Sequence, residues 1–475
     1  MRNAHDLIII GGGVGGLITA SVAGQLGLDV VLIERDSALG GDCLHSGCVP
    51  SKALIRSAAV AHSVRQYAAY GIHAPPPETD LRAVMDRVRA VIARIQVHDD
   101  PERFRGYGVD VRFGEAAFQD RQTVAVKGQR LRARRFVIAT GSSPAIPPIP
   151  GLERVAYRTH LDVFDEQSLP ERLAVIGGGP IGTEMAQAFA RLGSRVMLIE
   201  AGPRLLPRDE PTLARRLGDH LSHAGIDLRC NTAVTCAQRD GDGARLDLDA
   251  GDGTETIEVD RVLVATGRRA NTQSINPAAA GLTANADGTL AVDRRLRTRQ
   301  RHIYAIGDCA GPFPFTHMAE YQAGIVISNA IFRLPRRVDY TAVPWVTYTD
   351  PALAQVGMTR AAADEAGVRY EVTCFALADV DRAIADGEET GELQLLIHRG
   401  RIIGASLLAP QAGELIHEIA LAITEKVPLR RLAGMVHAYP TLAQITKRAA
   451  GAYYAPSLFS PRTRRLVRWI HRVLP

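Results

Sequence analysis

An unbroken apolar run, Leu7–Ile10, ends in glycines; an alanine-rich stretch follows, and a second apolar run, Val30–Ile33, closes on Glu34. Apolar residues without alternation predict strands covered on both faces, so residues 6–34 read as two parallel strands joined by a helix. The pattern returns at residues 173–200, LAVIGGGPIGTEMAQAFARLGSRVMLIE, with strand, glycine turn, helix, strand and terminal acid in the same order. Three further apolar runs stop in small residues: FVIATGSSP at 136–144, VLVATGRRAN at 262–271 and IYAIGDCA at 303–310. At the other end, Leu466, Trp469, Ile470, Val473 and Leu474 fall at helical spacing, with Arg465, Arg468 and Arg472 elsewhere on the wheel.

The glycine spacing adds chemistry to the two repeated units. Gly11, Gly13 and Gly16 supply the tight turn, the close backbone approach to a pyrophosphate and the close helix–strand packing of a G-x-G-x-x-G turn, and Glu34 is placed to accept from a ribose hydroxyl. Gly177, Gly179, Gly182 and Glu200 repeat the arrangement. Two such turns imply two dinucleotides, with hydride transfer between them. At the second turn Glu200 would repel a 2′-phosphate; Arg204 nearby works the other way, and the acid favours NADH over NADPH. Asp308, at the end of IYAIGD, is placed to hold a sugar-like hydroxyl chain.

Composition narrows the class. With 475 residues, 46% hydrophobic and 23% charged, the chain has the makings of two or three domains and the usage of an ordinary globular protein. No apolar run reaches the ~20 residues of a spanning helix, and MRNAHDLIIIGGG lacks the form of a signal peptide, so a cytoplasmic location is expected. The net charge is +5, and the last fifteen residues alone carry five arginines and no acid. A nucleic-acid partner is therefore not expected. The basic amphipathic tail, residues 456–475, reads either as a peripheral membrane or partner contact or as a helix docked on the body with its arginines in water.

Six cysteines are too few for a disulfide-framed scaffold. Cys230, Cys236, Cys309 and Cys374 are scattered and expected to be small buried hydrophobes. Cys43 and Cys48 stand together in DCLHSGCVPSK, where a structural staple, half of a metal site and a working redox pair are the alternatives. No second Cys or His cluster supplies the remaining ligands of a structural zinc site, although His45 lies between the two cysteines. Pro50 suits the first turn of a helix that would place Cys48 where backbone N–H groups favour a thiolate. Residues five apart in a regular helix are too distant for a disulfide, so the turn between them must be irregular, with Gly47 giving the freedom.

On the segment GGDCLHSGCVPSKAL, the two glycine turns and the order of the Ala-Thr-Gly and Gly-Asp endings, the chain resembles the flavin-dependent class I pyridine nucleotide–disulfide oxidoreductases, the family of dihydrolipoamide dehydrogenase, glutathione reductase and mercuric reductase. The resemblance implies an α/β fold of two Rossmann-like domains, for FAD and for NAD, with a C-terminal α+β dimerisation domain. The implied boundaries are 1–150 with 270–335 for FAD, 151–269 for NAD(P)H and 340–455 for the interface of a homodimer. Cys48 is then the thiol against the flavin and Cys43 the outer thiol of a redox disulfide. Lys52 is implied beside the flavin, with Glu184 as its ion-pair partner. Ala116, Thr140, Gly141, Gly307 and Asp308 join the FAD set, and Glu184 and Gly267 the NAD set.

One motif departs from the family. Lipoamide and glutathione reductases supply an acid–base pair from the partner subunit in His-x-His-Pro-Thr-x-x-Glu, and this chain reads HAYPTLAQ. The catalytic histidine falls on Tyr439 and its orienting glutamate on Gln444, while His437 matches the first, non-catalytic histidine. Mercuric reductases also place a tyrosine there, yet residues 375–475 contain no cysteine to match the C-terminal pair of those enzymes. The expected activity is NADH oxidation through FAD and the cysteine pair to a disulfide acceptor, with lipoyl groups as one candidate. A metal-ion or quinone reductase of the mercuric reductase type and a redox-sensing flavoprotein with little turnover are the alternatives.

Overall fold

The computed structural model describes all residues except 1–3, 74, 76, 252 and 475. It forms two compact units, one of residues 4–201 and 225–338, the other of residues 202–224 and 339–474.

The first unit holds two parallel sheets built on the same plan. In the first, strand Leu7–Ile10 lies between Val30–Glu34 and Phe136–Ile138, with Val109–Phe113 and Ile303–Ala305 at the edges. In the second, Arg172–Ile176 lies between Arg195–Ile199 and Arg261–Val264, with Asp227–Arg229 and Tyr157–Arg158 outside. Every residue of Leu7–Ile10 and Val30–Glu34 is buried, as unalternating runs require when helices cover both faces. Each sheet has a three-stranded antiparallel companion, Ala116–Asp120 to Gln129–Arg132 and Ala233–Asp240 to Thr254–Val259. The α/β class with duplicated dinucleotide units stands as the sequence led one to expect.

The second unit is an antiparallel sheet of five strands in the order Pro344–Thr347, Ala352–Gly357, Arg401–Ala409, Glu392–His398, Glu371–Ala376. Ile416, Ile419 and Ile423 of helix Ala412–Thr424 and Ile445 and Ala449 of helix Gln444–Leu458 pack with it in one core. Helix Pro211–His223 belongs to this unit, although its sequence lies inside the span expected for the nicotinamide part. Leu213, Leu217 and Leu221 form its buried face, and Thr212 accepts from Gln394 Nε2 at 3.1 Å while Arg216 pairs with Glu392 at 3.0 Å on the sheet. The tail is helical over Pro461–Val473, preceded by a helix that runs on to Leu458, two residues past the start expected for the tail.

The scattered cysteines need correction. Only Cys309 is buried; Cys230 and Cys236 are half-buried and Cys374 is exposed. Cys374 lies on the edge strand Glu371–Ala376, which has no neighbouring strand on its outer side among the described residues, and periodicity alone does not reveal which strand is an edge.

Candidate active site

Each glycine turn is shaped by contacts that leave no room for a side chain. At Gly11 φ is +110°, and a Cβ on Gly16 would stand 1.9 Å from the Gly11 carbonyl oxygen; Gly177 and Gly182 repeat both features, with the same 1.9 Å. Helix Val14–Gln25 and helix Pro180–Leu192 can therefore lie tight against their strands. Neither N-terminus is capped by a side chain, a Cβ at Gly13 would meet nothing nearer than 3.9 Å, and Gly179 has nothing within 4 Å. Both turns thus present backbone amides on an open cradle, which fits the pyrophosphate of a dinucleotide.

The terminal acids are held by the turns themselves. Gly12 N donates to Glu34 Oε2 at 2.6 Å, and Gly178 N donates to Glu200 Oε2 at 2.6 Å. Arg204, the residue that would favour a 2′-phosphate, donates instead to the carbonyls of Leu206 at 2.6 Å and Pro207 at 2.9 Å. Replacing Glu200 with alanine should therefore erode discrimination between NADH and NADPH by about tenfold or more, read as the ratio of the two kcat/KM values; an unchanged ratio would remove Glu200 from nucleotide choice.

The cysteine segment folds as two helices with a break. Helix Gly41–His45 ends at Ser46, and helix Cys48–Gln66 starts on the second cysteine. Ser46 N and Gly47 N both bond the Asp42 carbonyl, at 3.0 and 2.6 Å, and a Cβ on Gly47 would press to 2.9 Å from that same oxygen. This is the irregular turn that the spacing demanded. Both cysteines are free thiols, Cys43 half-buried and Cys48 exposed, and they hydrogen-bond each other. His45 turns away from them, with Nε2 2.9 Å from the Leu39 carbonyl. Among the described residues no three His, Cys, Asp or Glu side chains cluster to hold a metal.

The thiols are electrostatically unequal. The hydrogen bond from Cys43 draws the Cys48 pKa down to about 6 against the pull of burial, with help from the Thr316 hydroxyl and the Lys52 cation. Thr316 Oγ1 lies 3.3 Å from Cys48 Sγ. Cys43, which shares its proton with Cys48 and is itself half-buried, is pushed well up. With a depressed pKa the thiolate is present above it and lost as pH falls through it. Alkylation of the reduced protein by iodoacetamide should accordingly show a midpoint near 6 that climbs toward the ordinary thiol range in Cys43→Ala; a midpoint near 9 in the unaltered protein would refute the assignment.

Lys52, one turn into the cysteine helix, bonds Glu184 Oε2 at 2.8 Å, and Glu184 is only 5% exposed on helix Pro180–Leu192. The pair ties the cysteine helix to the helix of the second glycine turn. Asp308 receives the Ser142 hydroxyl and stands 3.7 Å from Arg268 Nε. Gly141 and Gly307 take positive φ, +65° and +71°, at the neighbouring strand ends, after Thr140 and before Asp308. Ala116 is buried at the start of its strand, and Gly267, at φ +139°, accepts from Ala145 N at 2.9 Å.

Sequence reading passed over Arg268, His160 and Thr316. Arg268 donates to Ser142 Oγ at 2.7 Å and to Asp42 Oδ2 at 2.8 Å, and its Nη1 lies 2.7 Å from His160 Nε2, itself 3.1 Å from Asp42 Oδ1. Burial pushes Asp42 up, but the hydrogen bond with His160, the guanidinium and Ser46 together hold it well below the usual carboxylate range. The two arginines after Ala-Thr-Gly in VLVATGRRAN were the available signal.

In the second unit, Tyr439 is 68% exposed, and its hydroxyl hydrogen-bonds Asp381, which raises its pKa. Gln444 opens helix Gln444–Leu458. His437 is enclosed, with Nε2 3.1 Å from Glu418.

A family model described as pyridine nucleotide-disulphide oxidoreductase matches residues 5–323, and the model of its dimerisation domain matches residues 343–450. The chain belongs to this family. It is an FAD-dependent oxidoreductase that uses NAD(P)H and carries a dimerisation domain. Two activities are named among its relatives. A mercuric reductase of Streptomyces lividans is 35% identical over 460 residues, 95% of this chain and 97% of that protein. A dihydrolipoyl dehydrogenase of Chlamydia muridarum is 34% identical over 474 residues, 98% of this chain and 100% of that protein. Among solved structures, the Cu(II) complex of the HOCl-induced flavoprotein disulfide reductase RclA from Escherichia coli matches with a TM-score of 0.84 at 26% identity, covering 95% of this chain and 99% of that one. LpdA from Mycobacterium tuberculosis matches with a TM-score of 0.85 at 27% identity, over 94% and 99%. No helix among the described residues is long and apolar enough to cross a membrane.

Proposed function

We propose that this flavoenzyme oxidises NADH and that Cys43 and Cys48 serve a soft metal ion bound as substrate. In this reading residues 1–150 and 270–335 hold FAD, through the Gly11–Gly16 turn, Glu34, Thr140, Gly141 and Asp308, and residues 151–269 hold the nicotinamide nucleotide through the Gly177–Gly182 turn and Glu200. Bound FAD supplies the electron pair, taken as hydride from the nicotinamide. Cys48, ionised at neutral pH, is ready to ligate a soft cation, and Cys43 gives up its proton as the second thiolate forms. Lys52, fixed by Glu184, offsets the negative charge that gathers there.

The observation that carries the choice of acceptor is the state of Tyr439. Exchange with a disulfide needs a base that takes a proton from the attacking thiol, and the C-terminal segment, which by the family pattern serves the second subunit's thiols, offers a phenol held protonated by Asp381. Binding a metal between two thiolates needs no such base. Steady-state assays with Hg(II), Cu(II), quinones, lipoamide and a lipoylated carrier test this: kcat/KM for a metal ion should exceed that for lipoamide by at least ~10²-fold, and the reverse order would sink the proposal. The second reading, a disulfide acceptor such as a lipoyl group, draws its support from the full-length likeness to the chlamydial dihydrolipoyl dehydrogenase.

A further inference from the structure

The C-terminal helix Pro461–Val473 has none of its residues buried. It is nonetheless well begun, with Ser460 Oγ accepting from Thr463 N at 3.2 Å and Pro461 in the first position. Thirteen residues are too few for a helix to be firmly stable in water on propensity alone, so its stripe calls for a surface to lie on. Leu466, Trp469, Val473 and Leu474 are all more than half exposed and share one side of the wheel with Ile470. Arg464, Arg465, Arg468 and Arg472 lie on the opposite side. The family model ends at residue 450, so this helix lies outside the part of the chain that it matches.

Charge identifies the surface. The last fifty residues contain ten lysines and arginines and no aspartate or glutamate, while the whole chain is only +5. A face of this kind is complementary to a dense anionic plane. We infer that the helix lies in the interface of a bilayer rich in anionic lipid, its Leu–Trp–Val stripe among the acyl chain ends and its arginines against headgroups, which brings the flavoenzyme to a membrane surface.

Flotation of the purified holoprotein with vesicles tests this at about physiological salt. The protein should float with phosphatidylcholine vesicles containing phosphatidylglycerol, stay in solution with phosphatidylcholine alone, and be released as salt rises. Arg465→Gln with Arg468→Gln should weaken binding about thirtyfold, Trp469→Ser should weaken it further, and removal of residues 460–475 should abolish it, all with NADH-dependent turnover unchanged. Failure to float on the anionic vesicles, equal flotation on both kinds, or flotation that survives the double arginine change would each overturn the inference. So would conversion of a dimer to monomers on removing the helix, which would assign the stripe to a second copy of the chain.

Discussion

Replacing Cys48 by serine is expected to lower NADH-dependent reduction of every acceptor by at least ~10³-fold, the scale on which loss of an attacking group acts. The reason is the asymmetry of the pair. Cys48 is the thiol drawn down to about 6, at the first position of a helix, with Thr316 and the Lys52 cation beside it, and Cys43 is pushed up. Serine keeps the hydrogen bond to Thr316 but is not ionised near neutrality and cannot close a disulfide. Two spectroscopic readouts separate this from a folding defect. Anaerobic titration with NADH should consume two electron pairs in the unaltered protein and one in the variant, and the long-wavelength absorption expected of a thiolate against a flavin should vanish. A variant that retains that absorption, or still takes up both pairs, would place the redox centre elsewhere.

Restoring an acid–base pair should move activity toward disulfides. Tyr439→His combined with Gln444→Glu is expected to raise lipoamide turnover by ~10²-fold or more, the usual contribution of a positioned proton acceptor. Tyr439 now donates to Asp381, a bond that keeps the phenol protonated and its pKa raised, so it offers a proton and accepts none at neutral pH. Histidine titrates near 6.5 and can do both. Each single change should accomplish far less than the pair, because an imidazole without its carboxylate partner lacks a fixed orientation. If the double variant gains nothing on lipoamide, the missing base is not what limits disulfide exchange, and the argument for a metal acceptor loses its footing.

Much of this was legible in the chain because it is local. The glycine turns, their terminal acids and the irregular cysteine turn each depend on residues within a few dozen positions, where hard-sphere limits and the periods of strand and helix dictate spacing. Gly16 is glycine because its Cβ would meet the Gly11 carbonyl, and that conflict is already contained in a six-residue motif. Lys52 and Glu184, 132 residues apart, were paired in advance only by resemblance to a family.

Other partners came from tertiary packing. Arg268 reaches Asp42 across 226 residues, and Thr316 reaches Cys48 across 268. Asp381 is brought to the Tyr439 hydroxyl, and residues 202–224 join the C-terminal unit although they lie between two strands of the second parallel sheet. Hydrophobic period states which face of an element is buried, and not which element covers it. A polar side chain's distant partners, such as Thr316 for Cys48 and Asp381 for Tyr439, are settled only when separate segments are packed together. Sequence by itself therefore determined the family, the cofactors, the pair of thiols and the loss of the histidine from the C-terminal motif; the tertiary structure decided which distant groups act on them, Thr316 beside Cys48 and Asp381 beside Tyr439, because those groups are brought near only through space.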